Sequence, residues 1–302
     1  MKRLALKIDV DTYRGTLCGV PALAEQLREY GAQATFFFSL GPDHTGRAIK
    51  RIFRPGFMKK MQRTAVIKHY GLPTLLYGTL LPGPDIGKRC ANILRGVRDA
   101  GFEVGVHCWD HVSWQDGLAT ADNAWVEAEM RKACQRFEEV FGEKPRAHGA
   151  AGWQMNRHAL RLTQRLGFTY SADGRGDSPF IPVIDGEIVT CPQLPTTLPT
   201  LDELIGTEGI TADNVADHLL KISASAFTDQ VFTLRAELEG MQLAPLLHQL
   251  LAGWKAQGYQ LMAMRDLHAT LEQKNLPHHE VLFGEVPGGL GKLFVQGPKF
   301  LG

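Results

Sequence analysis

The chain has no long uncharged run, no Cys-x-x-Cys pair and almost no net charge, and each absence excludes a class of function. No stretch approaches the roughly 20 consecutive apolar residues that span a bilayer. The start of the chain meets Lys2, Lys7 and Asp9 too early for a secretory signal peptide. The five cysteines (Cys18, Cys90, Cys108, Cys134 and Cys191) are scattered and odd in number, and read as reduced thiols of a cytoplasmic protein. A net charge of +1 argues against a general nucleic-acid-binding protein, so no nucleic-acid partner is expected. Internal repeats are also missing. What remains is a soluble chain of ordinary composition, whose 302 residues suffice for one large α/β domain or two smaller ones.

Two stretches carry reactive side chains at useful spacing. Asp9 and Asp11 alternate with Leu4, Leu6, Ile8 and Val10, so on a strand both carboxylates project from one face. His107 and His111 are four residues apart, close enough on a helical turn or tight loop to converge on one metal ion. Together they offer two imidazoles, a carboxylate ligand and a second carboxylate to spare. A catalytic zinc-type site needs that set: three protein ligands, an open position for water and a nearby base. An isolated His-x-x-x-His is more often accidental than metal-binding. Here both pieces end apparent buried strands, where α/β folds place their chemistry. Cys108, between the histidines, reads as a small packed residue rather than a ligand.

Strand and helix patterns alternate through most of the chain. Strands are expected at 3–10, 34–38, 102–106, 146–149, 168–172, 230–234 and 259–264. Helices are expected at 21–30, 88–100, 123–140, 156–166, near 212–224 and at 243–257. The alternation favours a parallel sheet or barrel in one domain, residues 1–275. Residues 276–302 are rich in Pro and Gly and are expected to form an irregular tail, with His278 and His279 exposed on it.

An insertion at about 43–87 breaks the rhythm. Between Asp43 and Asp85 there is no acidic residue, and Arg47, Lys50, Arg51, Arg54, Lys59, Lys60, Arg63 and Lys68 interleave with large apolar side chains. Such a pattern suits an interfacial helix on anionic lipid, each basic residue near the surface adding about 1 kcal/mol. A solvated helix packed on the body, with Leu72 to Leu81 filling a local core, is the alternative. The position beside the second strand, next to the candidate site, favours an anionic membrane surface as the partner of residues 44–84.

The stretches Lys7-Ile-Asp-Val-Asp-Thr12, Gly105-Val-His-Cys-Trp-Asp-His111, Ala150-Ala-Gly-Trp153, Ala172-Asp-Gly-Arg-Gly176, Gln193-Leu-Pro-Thr-Thr-Leu-Pro-Thr200 and Ala236-Glu-Leu-Glu-Gly240 cover nearly the whole chain. In order and spacing they resemble the polysaccharide deacetylase family, carbohydrate esterases with a NodB-homology domain. More narrowly, they are similar to the branch that deformylates an undecaprenyl phosphate-linked formamido sugar in bacterial lipid A modification. The resemblance implies an α/β fold, a distorted (β/α) barrel, and a peripheral enzyme on the cytoplasmic face of the inner membrane. It makes Asp11, His107 and His111 the ligands of one divalent metal ion and Asp9 the general base. Imidazole and carboxylate ligands suit zinc first, while manganese, cobalt or nickel can also fit.

Two departures from the family pattern follow. The arginine that orients the base is absent from His148-Gly149-Ala150-Ala151, and Arg175 is the candidate replacement, with a surface arginine as the competing reading. Where the fifth motif carries a general-acid histidine, this chain has Leu234-Arg235. Arginine stays protonated and cannot shuttle a proton as imidazole does, so the chain is expected to be a low-activity or inactivated deformylase. Arg235 can still stabilise an oxyanion or bind phosphate. Trp153 with Ala151 and Gly152 is expected to wall a pocket tight enough for formyl, and Glu237 to contact the sugar or its amine. His44, His69, His158, His218, His248 and His268 read as structural or solvated, without partners. Competing functions are an N-deacetylase of another amino-sugar glycan and a non-catalytic sugar- or lipid-binding protein.

Overall fold

Alternation along the first strand sorts its side chains between two environments. A computed structural model describes residues 2–48, 72–289 and 291–301. In it β1 (Lys2–Val10) turns Leu4, Leu6, Ile8 and Val10 into one large apolar cluster, while Ala5, and with it Lys7 and Asp9, occupy the opposite face. The other strands are β2 (Thr35–Ser39), β3 (Glu103–Cys108), β4 (Ala147–His148), β5 (Tyr170–Ser171), β6 (Ile181–Ile184), β7 (Glu187–Ile188), β8 (Gln230–Arg235), β9 (Tyr259–Met262), β10 (His278–Gly284) and β11 (Leu293–Lys299). The same sorting recurs beside β1. Phe36, Phe38, Phe232 and Leu234 join its outer cluster, whereas Phe37 and Val231 join Ala5.

The seven-stranded sheet runs β5-β4-β3-β2-β1-β8, with β9 also paired to β1, and every pair in it is parallel. Parallel neighbours need crossovers, supplied by helices Val20–Glu29, Ala91–Asp99, Asn123–Phe141, Arg157–Arg165, Val215–Ala224 and Ala244–Ala256. This is the α/β, distorted-barrel architecture expected from the sequence. Boundaries follow local chemistry. Asp122 caps Asn123–Phe141 by accepting from Trp125 N at 2.8 Å. The helix expected over 88–100 is instead split into Ile86–Arg89 and Ala91–Asp99 around Cys90. Register then places Asp9 beside both Phe37 and Arg235, and Val106 beside His148. The carboxyl ends of β1, β3, β4 and β8 therefore share one rim.

The expected irregular tail is a correction. β10 and β11 form an antiparallel hairpin, and β10 pairs in parallel with β6 in a second sheet of order β11-β10-β6-β7. Pro and Gly content misled, because the glycines serve the connection (Gly288 and Gly291 have φ of 72° and 73°) while Val281, Leu293 and Phe294 are buried. The hairpin grips the segment after β5: Arg175 N donates to Phe294 O at 2.9 Å, and Gln296 N donates to Arg175 O at 2.8 Å. His279 is no loose tail residue either, its Nδ1 lying 2.8 Å from Gly297 O.

Most of the basic insertion, residues 49–71, lies outside the described residues. Its base is closed by Asp43 N donating to Pro84 O and Gly46 N donating to Tyr77 O, both at 2.9 Å. Of the stretch expected as its local core, Leu80 is 81% exposed and Leu81 41%.

Phe294 tests the hairpin's weight. Replacing it with Ala should lower unfolding free energy by about 3–5 kcal/mol, read from the shift of the denaturant midpoint at unchanged slope. A loss under about 1 kcal/mol would mean that the second sheet does not brace the barrel.

Candidate active site

Each reactive side chain sits where an element begins or ends. Asp11 follows the last residue of β1, His107 lies in the final turn of β3, and His111 opens the helix His111–Gly117. Asp110 caps that helix, accepting from Ser113 N at 3.0 Å and Ser113 Oγ at 2.6 Å. The two histidines thus belong to a strand and a helix, not to one helical turn, yet their rings stack at 5.4 Å with a 27° tilt. Asp11 Oδ1 lies 3.2 Å from His107 Nε2 and 3.4 Å from His111 Nε2.

This cluster fits a cation. His107 Nδ1 lies 2.5 Å from Gly149 O, a carbonyl that can only accept, so the ring proton belongs on Nδ1 and Nε2 presents a lone pair. Asp11 Oδ1 faces it with another lone pair, and both atoms are buried without a hydrogen-bond partner. Two acceptors this close repel unless a positive centre lies between them. One ligand atom from each of Asp11, His107 and His111 falls within 4.8 Å of the others, the span of a three-ligand metal site. Cys108 stays outside it, its thiol 3.3 Å from Ser39 Oγ and pushed well above the ordinary range by burial.

Asp9 lies next to this cluster, its Oδ1 3.8 Å from His107 Nδ1. Its partner is Lys7, whose Nζ donates to Oδ1 at 2.6 Å and to Oδ2 at 2.8 Å. Arg175, expected to orient this carboxylate, does not. It is buried in an ion pair with Glu203 and donates to Thr196 O and Leu198 O, so it ties loops together beneath the rim. The choice follows from the strand: Lys7 shares a face with Asp9, and Arg175 is drawn off by a nearer acid.

Arg235 ends β8, half-buried, with Nη1 2.8 Å from Asp202 Oδ2 and its backbone N donating to Glu239 Oε2 at 2.7 Å. Trp153 lies among the cations: Lys7, Arg175 and Arg235 approach its ring centroid at 5.6, 5.2 and 5.9 Å. Its φ of 51° is one that a bulky side chain adopts only when its surroundings dictate it. The turn Ala151–Trp153 hangs from a second buried pair, in which Asp173 Oδ1 meets His148 Nδ1 at 2.6 Å and accepts from Ala150 N at 3.0 Å. Ala151 is fully buried and Gly152 partly so.

Glu237 is a further correction. It is 1% exposed, and its Oε1 accepts from Asp11 N, Thr12 N and Thr12 Oγ1 at 3.1, 2.8 and 2.9 Å. It buttresses the end of β1 from below instead of meeting a sugar. Burial, and then the charge of Asp11, push its carboxyl up to about 8 against the pull of Thr12. His44, read as partnerless, is also corrected: its Nδ1 lies 2.6 Å from Asp110 Oδ2, tying the base of the insertion to the loop that bears His111. Sequence reasoning missed Lys7, His44 and Asp202 as members of this site. Only Lys7 left a signal, a lysine two residues before Asp9 that interrupts the apolar run Leu4 to Ile8.

Comparison with known proteins follows the same line. The polysaccharide deacetylase family model matches residues 2–171, and the chain belongs to that family, the one its motifs resemble. At 39% identity over 294 residues it is similar to a probable 4-deoxy-4-formamido-L-arabinose-phosphoundecaprenol deformylase of Shewanella sediminis (strain HAW-EB3), covering 97% of this chain and 94% of that protein. A protein of the same description from Wigglesworthia glossinidia brevipalpis is 32% identical over 284 residues, covering 93% and 98% of the two chains. Among solved structures, a polysaccharide deacetylase from Mycobacterium smegmatis shares the fold with a TM-score of 0.63 at 18% identity, over 94% of this chain and 96% of that one. A peptidoglycan N-acetylglucosamine deacetylase shares it at 0.53 and 15% identity, over 89% of each.

Glu239 gives the site a pH signature. Burial pushes its carboxyl from the ordinary 4.5 to about 7. Between these values the unfolded chain loses a proton that the folded chain keeps, so stability falls as pH rises through this window, by about 3 kcal/mol in all. Glu239→Gln should remove that slope, gaining on the parent between pH 5 and pH 8 in urea unfolding. A variant whose curve runs parallel to the parent's at both pH values would exclude it.

Proposed function

We propose that this chain is a metal-dependent deformylase, hydrolysing the formamide of undecaprenyl phosphate-linked 4-deoxy-4-formamido-L-arabinose to formate and the free 4-amino sugar used in lipid A modification. The observation that carries the reading is the convergence of Asp11, His107 and His111, with facing lone pairs, beside the carboxylate of Asp9. The names of the two relatives supply the substrate.

Asp11, His107 and His111 would hold one divalent cation, zinc by preference for such ligands. Held there, it would supply Lewis acidity to the attacking water and to the amide oxygen. Asp9 removes the water's proton as the oxygen adds to the formyl carbon. The C–N bond then breaks, and the amine departs as a good leaving group only if it gains a proton. Trp153, Ala151 and Gly152 form the wall against which the small formyl group fits. Arg235 stands at the acid's place and keeps its proton, so it favours the developing oxyanion, and the proton that Asp9 took from the water is the one returned to the departing amine.

The insertion docks the enzyme on the cytoplasmic face of the inner membrane, where the lipid-linked substrate lies. Its support is the basic and apolar pattern of residues 44–84 together with the exposed Leu80 and Leu81. No helix among the described residues is long and apolar enough to cross a membrane. A second reading, a non-catalytic sugar- or lipid-binding protein, draws on Arg235 alone.

Formate release decides between them. Arg235→His should raise turnover of the zinc-loaded chain by about a hundredfold, because an imidazole can pass a proton to the leaving amine and a guanidinium cannot. A chelator should abolish the gain, and zinc should restore it. Formate from neither chain would sink the deformylase reading, no gain over a parent that does release formate would clear Arg235 of limiting the rate, and release of acetate from an N-acetyl substrate instead would reassign the activity. Separately, Leu80→Ser with Leu81→Ser should weaken co-sedimentation with phosphatidylglycerol vesicles by about tenfold, the worth of roughly 1.4 kcal/mol of lost burial. Unchanged binding would remove these leucines from the membrane surface.

A further inference from the structure

We infer that Lys7 is the residue that positions the Asp9 base, a role taken over in this chain from the missing third-motif arginine; the inference rests on the deformylase reading above. Lysine is almost never fully buried unless paired, and Lys7 is 0% exposed, following the buried Leu4, Ala5 and Leu6. Its ammonium is held between the faces of Phe37 and Trp153, 5.5 and 5.6 Å from their centroids. Within that slot it meets both oxygens of Asp9, at 2.6 and 2.8 Å.

The room for it comes from the segment that lost the arginine. A Cβ built on Gly149 would lie 3.0 Å from Phe37 and 3.2 Å from Lys7 Cε, so a side chain there would press on the lysine stem. The same glycine's carbonyl meets His107 Nδ1. One bare position thus serves the base and the neighbouring imidazole together. Arg175 cannot substitute, being committed to Glu203.

Orientation is what the pair provides. The terminal torsion of aspartate is broad, so an unpaired carboxylate would sample several directions. An ionised carboxylate offers about four lone-pair sites. Lys7 occupies one on each oxygen and leaves the others to face the attacking water. Because Lys7 is sealed from solvent, it acts through Asp9 and does not touch substrate.

The test compares Lys7→Met and Lys7→Arg in the Arg235→His background. Lys7→Met should lower kcat by about a hundredfold while KM moves less than about threefold, the pattern of a misplaced catalytic group. Lys7→Arg should recover to within about tenfold, and zinc affinity by calorimetry should stay within about threefold in both. Crystal structures of the zinc-loaded chains should show the Asp9 carboxylate beside His107 in the parent and turned away from it in Lys7→Met. Lys7→Gln serves the same arms should Lys7→Met not fold. The inference is overturned if Asp9 keeps its position and kcat its value, or if zinc affinity and kcat fall together. Should the Arg235→His chain release no formate while Asp9 still turns in Lys7→Met, the deformylase reading fails and the positioning role stands.

Discussion

Two buried lone pairs pointed at each other, on Asp11 Oδ1 and His107 Nε2 at 3.2 Å, are the constraint on which the site depends. Left without a cation, this arrangement is repulsive in a region of low dielectric. The fold nevertheless enforces it from three directions. Glu237 pins the backbone of Asp11 from beneath, Gly149 O fixes the tautomer of His107, and Asp110 caps the helix that starts with His111. None of these supports is itself a ligand. Such outer contacts orient ligands and set their basicity, and they matter nearly as much as the ligands do.

The second organising feature is a set of three ion pairs around one indole. Lys7 with Asp9, Arg175 with Glu203 and Arg235 with Asp202 all meet Trp153. Asp202 and Glu203 are adjacent in the short helix Leu201–Leu204, so one element anchors both arginines. The pairs differ in burial, which separates their roles. The Lys7 and Arg175 pairs are closed to solvent and act as fixed struts, while Arg235 stays half-exposed at the rim, where a ligand could displace it from Asp202. A buried pair of this kind is weak evidence for stability, because desolvation offsets much of its attraction.

Burial also explains why the acids beneath the rim hold their protons to higher pH than ordinary carboxyls do. Glu237 and Glu239 are raised mainly by desolvation, and protonation spares the barrel two further uncompensated charges close to Asp11 and Asp202.

Local periodicity was enough to reveal the alternating strands and helices, the shared face of Asp9 and Asp11, and the two histidines at the end of the third strand. Those features repeat along the chain and need only neighbours within a few residues. The pairing of cations with carboxylates was not legible. For the two arginines it turns on the loop and short helix that bring Glu203 to Arg175 and Asp202 to Arg235, 28 and 33 positions away. The final hairpin was hidden for a related reason: Pro and Gly read locally as irregular, while burial of Phe294 against the segment after β5 makes the flanking residues strands. Sequence alone thus determined which residues could do chemistry. Tertiary structure decided which of them face one another, because an ion pair forms with whichever partner the packed sheet brings within reach.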